Sequence, residues 1–200
     1  MITRIASRIL MALLMIGVAA GCSTSSSAVN FYALTAMDGD APAIAANPET
    51  APAIGIGRVT LPAYLQRPHI VVRTASNQMR IEEYHRWAGS LEDDIQRVLI
   101  ENLMQLTGTE RIARMPWAGD FQPDVTLRME IYRFEAGAGN TVRLLAAVTL
   151  IRRGVPMAPE TWTVNLEASS DGRSYADLVA AQSRLLADVS RGIAERIALH

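Results

Sequence analysis

The stretch from 124 to 153 constrains this chain more than any other. In "DVTLRMEIYRFEA" (124–136), Val125, Leu127, Met129, Ile131 and Phe134 belong to an apolar side, and Thr126, Arg128 and Glu130 point the other way. A period near two is the mark of a half-buried strand. "GAGN" (137–140) supplies a turn, and "TVRLLAAVTLIRR" (141–153) returns as the hairpin partner. "PETWTVNLEASS" (159–170) reads as a third meander strand. A meander with one apolar face needs something to cover that face.

Two amphipathic helices are available to do so. Ser90 is placed to cap the first, with Glu92, Asp93 and Asp94 at the positive end of the helix dipole. Leu91, Ile95, Val98, Leu99, Leu103 and Leu106 form one stripe, and Gly108 can end the helix. Three adjacent carboxylates could suggest a metal site, but capping and the dipole account for them. Near the C-terminus, Asp171-Gly172 turns the chain and Ser174 caps a longer helix. Its stripe is Leu178, Leu185, Val189, Ile193 and Ile197, widened by Ala181 and Leu186 and weakened slightly by Gly192.

Shorter strands precede and separate the helices. "NFYALTAM" (30–37), "IGIGRVTLP" (54–62), "HIVVRTA" (69–75) and "QMRIEEYHRWA" (78–88) all read as extended, with "ERIARMP" (110–116) a further short strand. Residues 38–53 carry three prolines and no helical period, and read as a mobile loop. Gly55-x-Gly57 lacks the third glycine, following helix and later acid of a dinucleotide loop; such strand glycines mark a bulge or close backbone approach. In 78–88 neither face is purely apolar, which fits an edge strand or an interface. The expectation is therefore an α+β fold: one domain over residues 30–200, mainly an antiparallel sheet with both helices packed on one face.

The N-terminus has a different character. Arg4 and Arg8 precede the uncharged, mostly apolar run Ile9 to Ala20, which is shorter than the roughly 20 residues of a membrane-spanning helix. Ala19-Ala20-Gly21-Cys22 then resembles the lipobox of bacterial lipoproteins, and Cys22 is the only cysteine of the 200 residues. That resemblance implies a signal peptide over 1–21 and acyl chains on Cys22; Ser23 after it fits sorting to the outer membrane. Removing residues 1–21 takes away Arg4 and Arg8 and leaves a net charge of −3, so acyl chains rather than electrostatics would hold the protein to a bilayer. Residues 22–29, with "STSSS" at 23–27, read as a flexible tether spanning at most roughly 25 Å.

The chemistry of the chain points away from catalysis. No G-x-S-x-G elbow is present, nor a metal, phosphate-loop or flavin motif. His69, His85 and His200 are far apart in sequence and read as surface or strand residues. One cysteine makes no internal disulfide. All 19 basic residues are arginine, scattered without a block, and the net charge of −1 argues against a general nucleic-acid binder. The reading is a non-enzyme with no cofactor other than the acyl or diacylglycerol group on Cys22.

Two segments, "VTLPAYLQRPHIVVR" (59–73) and "YHRWAGSLEDDIQRVLIENL" (84–103), carry a family likeness. The pattern runs Leu61-Pro62, Tyr64-Leu65, Arg67-Pro68, Ile70-Val71 and Arg73. It resumes at Arg86-Trp87-Ala88 and Leu91 and continues to Asn102-Leu103, with "FYAL" at Phe31 upstream. In these residues the chain resembles the PqiC-type auxiliary lipoproteins of ABC and MCE transport systems. Gly89-Ser90 departs from the family, which often has an acidic residue and proline there. The resemblance implies an outer-membrane lipoprotein on the periplasmic face. It would dock an MCE-domain tunnel protein whose inner-membrane permease and ABC components move lipid, and could form a homo-oligomer to match its partner. The alternative is a periplasmic lipid-binding shuttle or envelope-assembly chaperone with an apolar cavity.

Tyr64, Arg67, Pro68, Arg73, Arg86 and Trp87 are the candidate partner-binding residues, since aromatics and arginines concentrate at interface centres. Each also has a structural alternative. Trp87 could pack under the first helix, Pro68 could shape a loop, and the arginines could be solvated or paired with Glu82 and Glu83.

Overall fold

A computed structural model describes residues 28–39, 51–137, 139–154, 158–170 and 172–199. The signal-like segment, Cys22, most of the tether, residues 40–50 of the loop, Asp171 and His200 lie outside them. The elements, in order, are β1 (Asn30–Tyr32), β2 (Ile54–Thr60), β3 (His69–Ala75), β4 (Gln78–Trp87), α1 (Leu91–Thr107), β5 (Ile112–Arg114), β6 (Val125–Ala136), β7 (Thr141–Arg152), β8 (Glu160–Ser169) and α2 (Tyr175–Ala198).

Strand β6 organises the sheet. One edge pairs antiparallel with β7 from Val125↔Arg152 to Ala136↔Val142, and β7 pairs antiparallel with β8. The other edge is shared: β2 runs parallel to residues 125–130, and β3 meets the far end at Val72↔Ala136. The β3–β4 hairpin, with β1 outside it, thus branches from the same sheet that β2 and β5 extend. The α+β architecture stands as expected, but the sheet is mixed. Four pairings are parallel (β1–β4, β2–β5, β2–β6, β3–β6) against three antiparallel. For the three pairings of β2 and β3 with β5 and β6 the reason is α1: a helix between β4 and β5 brings the chain back beside β2 in the same direction, and such crossovers are what parallel pairs require.

The core lies between the sheet and the helices. Val125, Leu127, Met129, Ile131 and Phe134 of β6 are buried, as are Val142, Leu144, Ala146, Val148 and Leu150 of β7. Phe134 joins them because the β6–β7 register slips between Ile131 and Arg133, leaving Tyr132 as an extra residue. A bulge of this kind reverses which parity faces inward. Every residue of the expected α1 stripe is buried, and so is every residue of the α2 stripe. Full burial of each such side chain contributes about 1.5–3 kcal/mol.

Both caps form. The Ser90 hydroxyl accepts from the Asp93 amide, and Gly108 closes α1 at φ 68°. Ser174 and Asp177 make a reciprocal capping box on α2, which holds the Asp177 carboxyl below its usual range.

The first strand is shorter than the sequence suggests. After Tyr32 the chain leaves the sheet and runs along the helices. Leu34 N–H donates to Asp94 Oδ2 at 2.6 Å, Thr35 N–H to Ser183 Oγ at 3.0 Å, and Met37 N–H to Asn102 Oδ1 at 2.8 Å. Helix side chains replace a neighbouring strand as partners for this backbone, and Leu34 is only 1% exposed between them. The strand glycines behave as expected. A Cβ at Gly55 would lie 2.7 Å from the Trp117 ring, one at Gly57 would lie 2.9 Å from the Leu127 carbonyl oxygen, and the β2–β6 register shifts beside Gly57.

Candidate interaction surface

The six candidate residues fall into two groups on different parts of the sheet. Tyr64 and Arg73 meet through a residue that the sequence did not single out, Glu135. It sits one step beyond Phe134 and therefore points away from the helices, yet it is 2% exposed. The turn after β2 folds over it: Leu65 N–H bonds the Pro62 carbonyl at 2.9 Å, buried Leu65 anchors the turn, and Tyr64 is delivered onto β6.

Four hydrogen bonds converge on Glu135. Oε1 accepts from Arg73 Nε at 2.8 Å and from Arg133 Nε at 3.2 Å. Oε2 accepts from the Tyr64 hydroxyl at 2.8 Å and from the Phe134 amide at 3.0 Å. A buried carboxylate persists only when paired and bonded in this way. Burial and the adjoining carboxylate push the Tyr64 phenol up to about 12. The bond to Glu135 in turn raises the Arg73 guanidinium above its ordinary value. Beside this network Arg73, Ala75, Ser76, Arg133 and Arg143 line an open cleft of about 580 Å³.

The second group gathers where β3 begins and β4 ends. The Trp87 amide donates to the Pro68 carbonyl at 2.7 Å, and His69 pairs with Arg86. Trp87 is 5% exposed and belongs to the core, so it fixes the backbone of this region rather than presenting its ring. Pro68 is exposed. Arg67 and Pro68 border an open cleft of about 420 Å³ with Leu61, Leu65, Gln66 and the start of α1. The Arg67 Nε is buried there without a protein partner among the described residues. Arg86 donates to the Glu83 carbonyl at 3.1 Å, a backbone contact and not a side-chain ion pair. The pair that does form nearby is Arg80 with Glu82.

Arg86 has neighbours that sequence reasoning missed. Strands β1 and β4 pair with Asn30↔His85 and Phe31↔Arg86, so Phe31 and Arg86 share a face and Tyr84, two residues back, shares it too. Phe31 is 65% exposed, and Val29 and Tyr84 are also exposed. On the opposite face Tyr32 turns inward, its hydroxyl 2.8 Å from His85 Nδ1, and His85 stacks on Tyr175 at 3.8 Å between ring centres. The inward Tyr32 is the signal that could have been read: in a strand, one aromatic facing in leaves its neighbour facing out.

Comparison with known proteins decides what kind of protein carries this surface. The family model described as "ABC-type transport auxiliary lipoprotein component" matches residues 32–194.

The chain belongs to that family.

The family is not an enzyme class, and its members are envelope lipoproteins that accompany transport systems. The resemblance read from Leu61 to Leu103 is thereby borne out at the level of the family. Two crystal structures share the fold. One is of an uncharacterised protein with 22% identity and a TM-score of 0.69, covering 85% of this chain and 99% of the other. The second, a protein from Xanthomonas campestris, has 18% identity and a TM-score of 0.67, covering 86% of this chain and 95% of its own. No curated protein matches the chain in sequence. Among the described residues no helix is long and apolar enough to cross a membrane.

Proposed function

We propose that this transport auxiliary lipoprotein is cleaved before Cys22, acylated on that cysteine and held on the periplasmic face of the outer membrane. There it docks an MCE-domain tunnel protein whose inner-membrane permease and ABC components move lipid. The docking face is the β1–β4 edge: Phe31, Tyr84 and Arg86, with the Arg67-Pro68 turn beside it. Several copies assemble on the partner to match its symmetry.

The observation that carries this reading is the exposure of Phe31, 65% on an outermost strand, in register with Arg86 and beside Tyr84. Aromatic rings with an arginine are the side chains that anchor interface centres once water is excluded. The family assignment supports an accessory role in transport. Strand β1 also begins only eight residues after Cys22, so a partner held by this edge would lie within roughly 25 Å of the membrane. A shuttle that encloses lipid needs an enclosed apolar chamber; the two clefts described above are open to solvent, and arginines line the larger of them.

Two measurements test the reading. Detergent-extracted full-length protein is expected to co-purify with an MCE-domain protein of the same cells; its absence from the eluate, with membranes intact at the start, counts against docking. A Cys22→Ser variant is expected to accumulate as uncleaved precursor or soluble protein. Mature Cys22→Ser protein fractionating with the outer membrane would contradict the anchor.

A further inference from the structure

We propose that the cleft between Arg73, Arg133 and Arg143 binds a phosphate group. This site lies at the opposite end of β4 from the docking face, around the β3–β4 turn, and does not depend on the docking reading.

The positive charge of the cleft is not fully balanced. Glu135 is shared by Arg73 and Arg133, and Arg143 is matched by Glu167, which it contacts through Nε at 3.0 Å and through Nη2. Three guanidinium groups thus meet two carboxylates. Both oxygens of Glu135 are occupied, and its side chain is 1% exposed, so it turns no negative surface toward the cleft.

The donors are also held in place. Arg73 and Arg133 reach Glu135 through Nε, and Arg73 Nη1 donates to the Ser76 carbonyl at 3.1 Å. That leaves both terminal nitrogens of Arg133 without a hydrogen-bond partner among the described residues, on a side chain 31% exposed. Tyr64 and the Phe134 amide fix the carboxylate that fixes the arginines. A guanidinium pinned through Nε presents its outer edge as a ready pair of donors, and the ordering cost is already met before a ligand arrives.

Tetrahedral geometry favours phosphate over carboxylate here. A planar carboxylate is satisfied by one guanidinium edge, whereas three arginines from β3, β6 and β7 offer donors from separate directions. A free phosphate and a phospholipid headgroup present the same group, and the cleft is open enough for either.

The test is calorimetric titration of the full-length protein in a non-ionic detergent. Inorganic phosphate and dihexanoyl phosphatidic acid are the two ligands, and a polyglutamate peptide is the competitor. Saturable binding is expected. Arg133→Gln should weaken it about tenfold, one charge-assisted contact's worth. Arg143→Gln should weaken it similarly, and its solvent-exposed pairing makes loss of folding a minor concern. Arg128→Gln, an exposed arginine on β6 outside the cleft, should leave binding unchanged. Tighter binding of the phosphatidic acid than of phosphate identifies a lipid headgroup as the source, and equal binding identifies free phosphate. Absence of saturable binding of either ligand, binding by the Arg133→Gln and Arg143→Gln variants as tight as that of the unmodified protein, or complete displacement of bound phosphate by equimolar polyglutamate overturns the proposal.

Discussion

Arg73 Nε and Glu135 Oε1 meet at 2.8 Å on the face of the sheet turned away from the helices. The contact joins β3 to β6 at the point where their backbones share a single ladder position, Val72↔Ala136. A side-chain network therefore does what a longer strand pairing would otherwise do. Removing the carboxylate takes the shared acceptor from two guanidinium groups and from a phenol that keeps only the Tyr132 carbonyl at 3.2 Å. Glu135→Ala should lower stability by about 3 kcal/mol. Tyr64→Phe, which leaves the arginine contacts intact, should cost only about 1 kcal/mol. Urea unfolding measures both; equal losses would mean that packing, not the carboxylate, holds the β3–β6 junction.

Tyr64 gives this network a pH dependence. Its phenol is pushed up to about 12, whereas an unfolded tyrosine titrates near about 10. The folded state therefore holds the proton more tightly. Its contribution to stability is complete below about pH 10 and is lost as the pH rises toward 12. An alkaline titration followed by tyrosinate absorbance should show a late step that Tyr64→Phe removes. A wild-type curve superimposable on that of the variant, after scaling for one tyrosine fewer, would contradict the assignment.

Asn102 ties the segment after β1 to both helices. Its Oδ1 accepts from the Met37 amide at 2.8 Å, and its Nδ2 donates to Ser190 Oγ at 3.1 Å, with the residue fully buried. Asn102→Ala should destabilise by about 1–3 kcal/mol, since buried groups are left unpaired. Amide exchange at Met37 should accelerate more than at Leu34, which Asp94 holds. Uniform acceleration along 34–37 would show that the segment is held by packing alone.

Two glycines should respond oppositely to alanine. Gly57→Ala places a Cβ 2.9 Å from the Leu127 carbonyl oxygen and should cost about 1–3 kcal/mol. Gly192, inside α2, has nothing within 4 Å of such a Cβ, and Gly192→Ala should stabilise by about 0.5–1 kcal/mol. Thermal unfolding of both variants checks the signs.

What the sequence made legible follows from the range of the interactions involved. The stripe from Leu91 to Leu106, the caps at Ser90 and Ser174, and the meander from Val125 to Ser169 rest on residues a few positions apart, and all appear as read. The parallel pairings were not legible, because nothing in 54–60 names 125–130 as its neighbour. Nor was the path of Leu34 to Met37, whose partners lie 60 to 148 residues away. Of the site, Tyr64 and Arg73 were found, but Glu135 between them was not. A lone glutamate beside Phe134 reads as solvent-facing unless the bulge at Tyr132 and the overlying turn are known. Trp87 lies in the core, which is the packing alternative its sequence position left open beside the interface reading.

The β1–β4 edge as the docking face is tested most directly by photo-crosslinking in intact membranes. A benzoylphenylalanine replaces Phe31 in one strain and Arg191, on the exposed side of α2, in another. The expected result is a covalent adduct with the MCE-domain protein from position 31 and none from position 191. Adducts of equal yield at both positions, or an adduct at 191 alone, would contradict it.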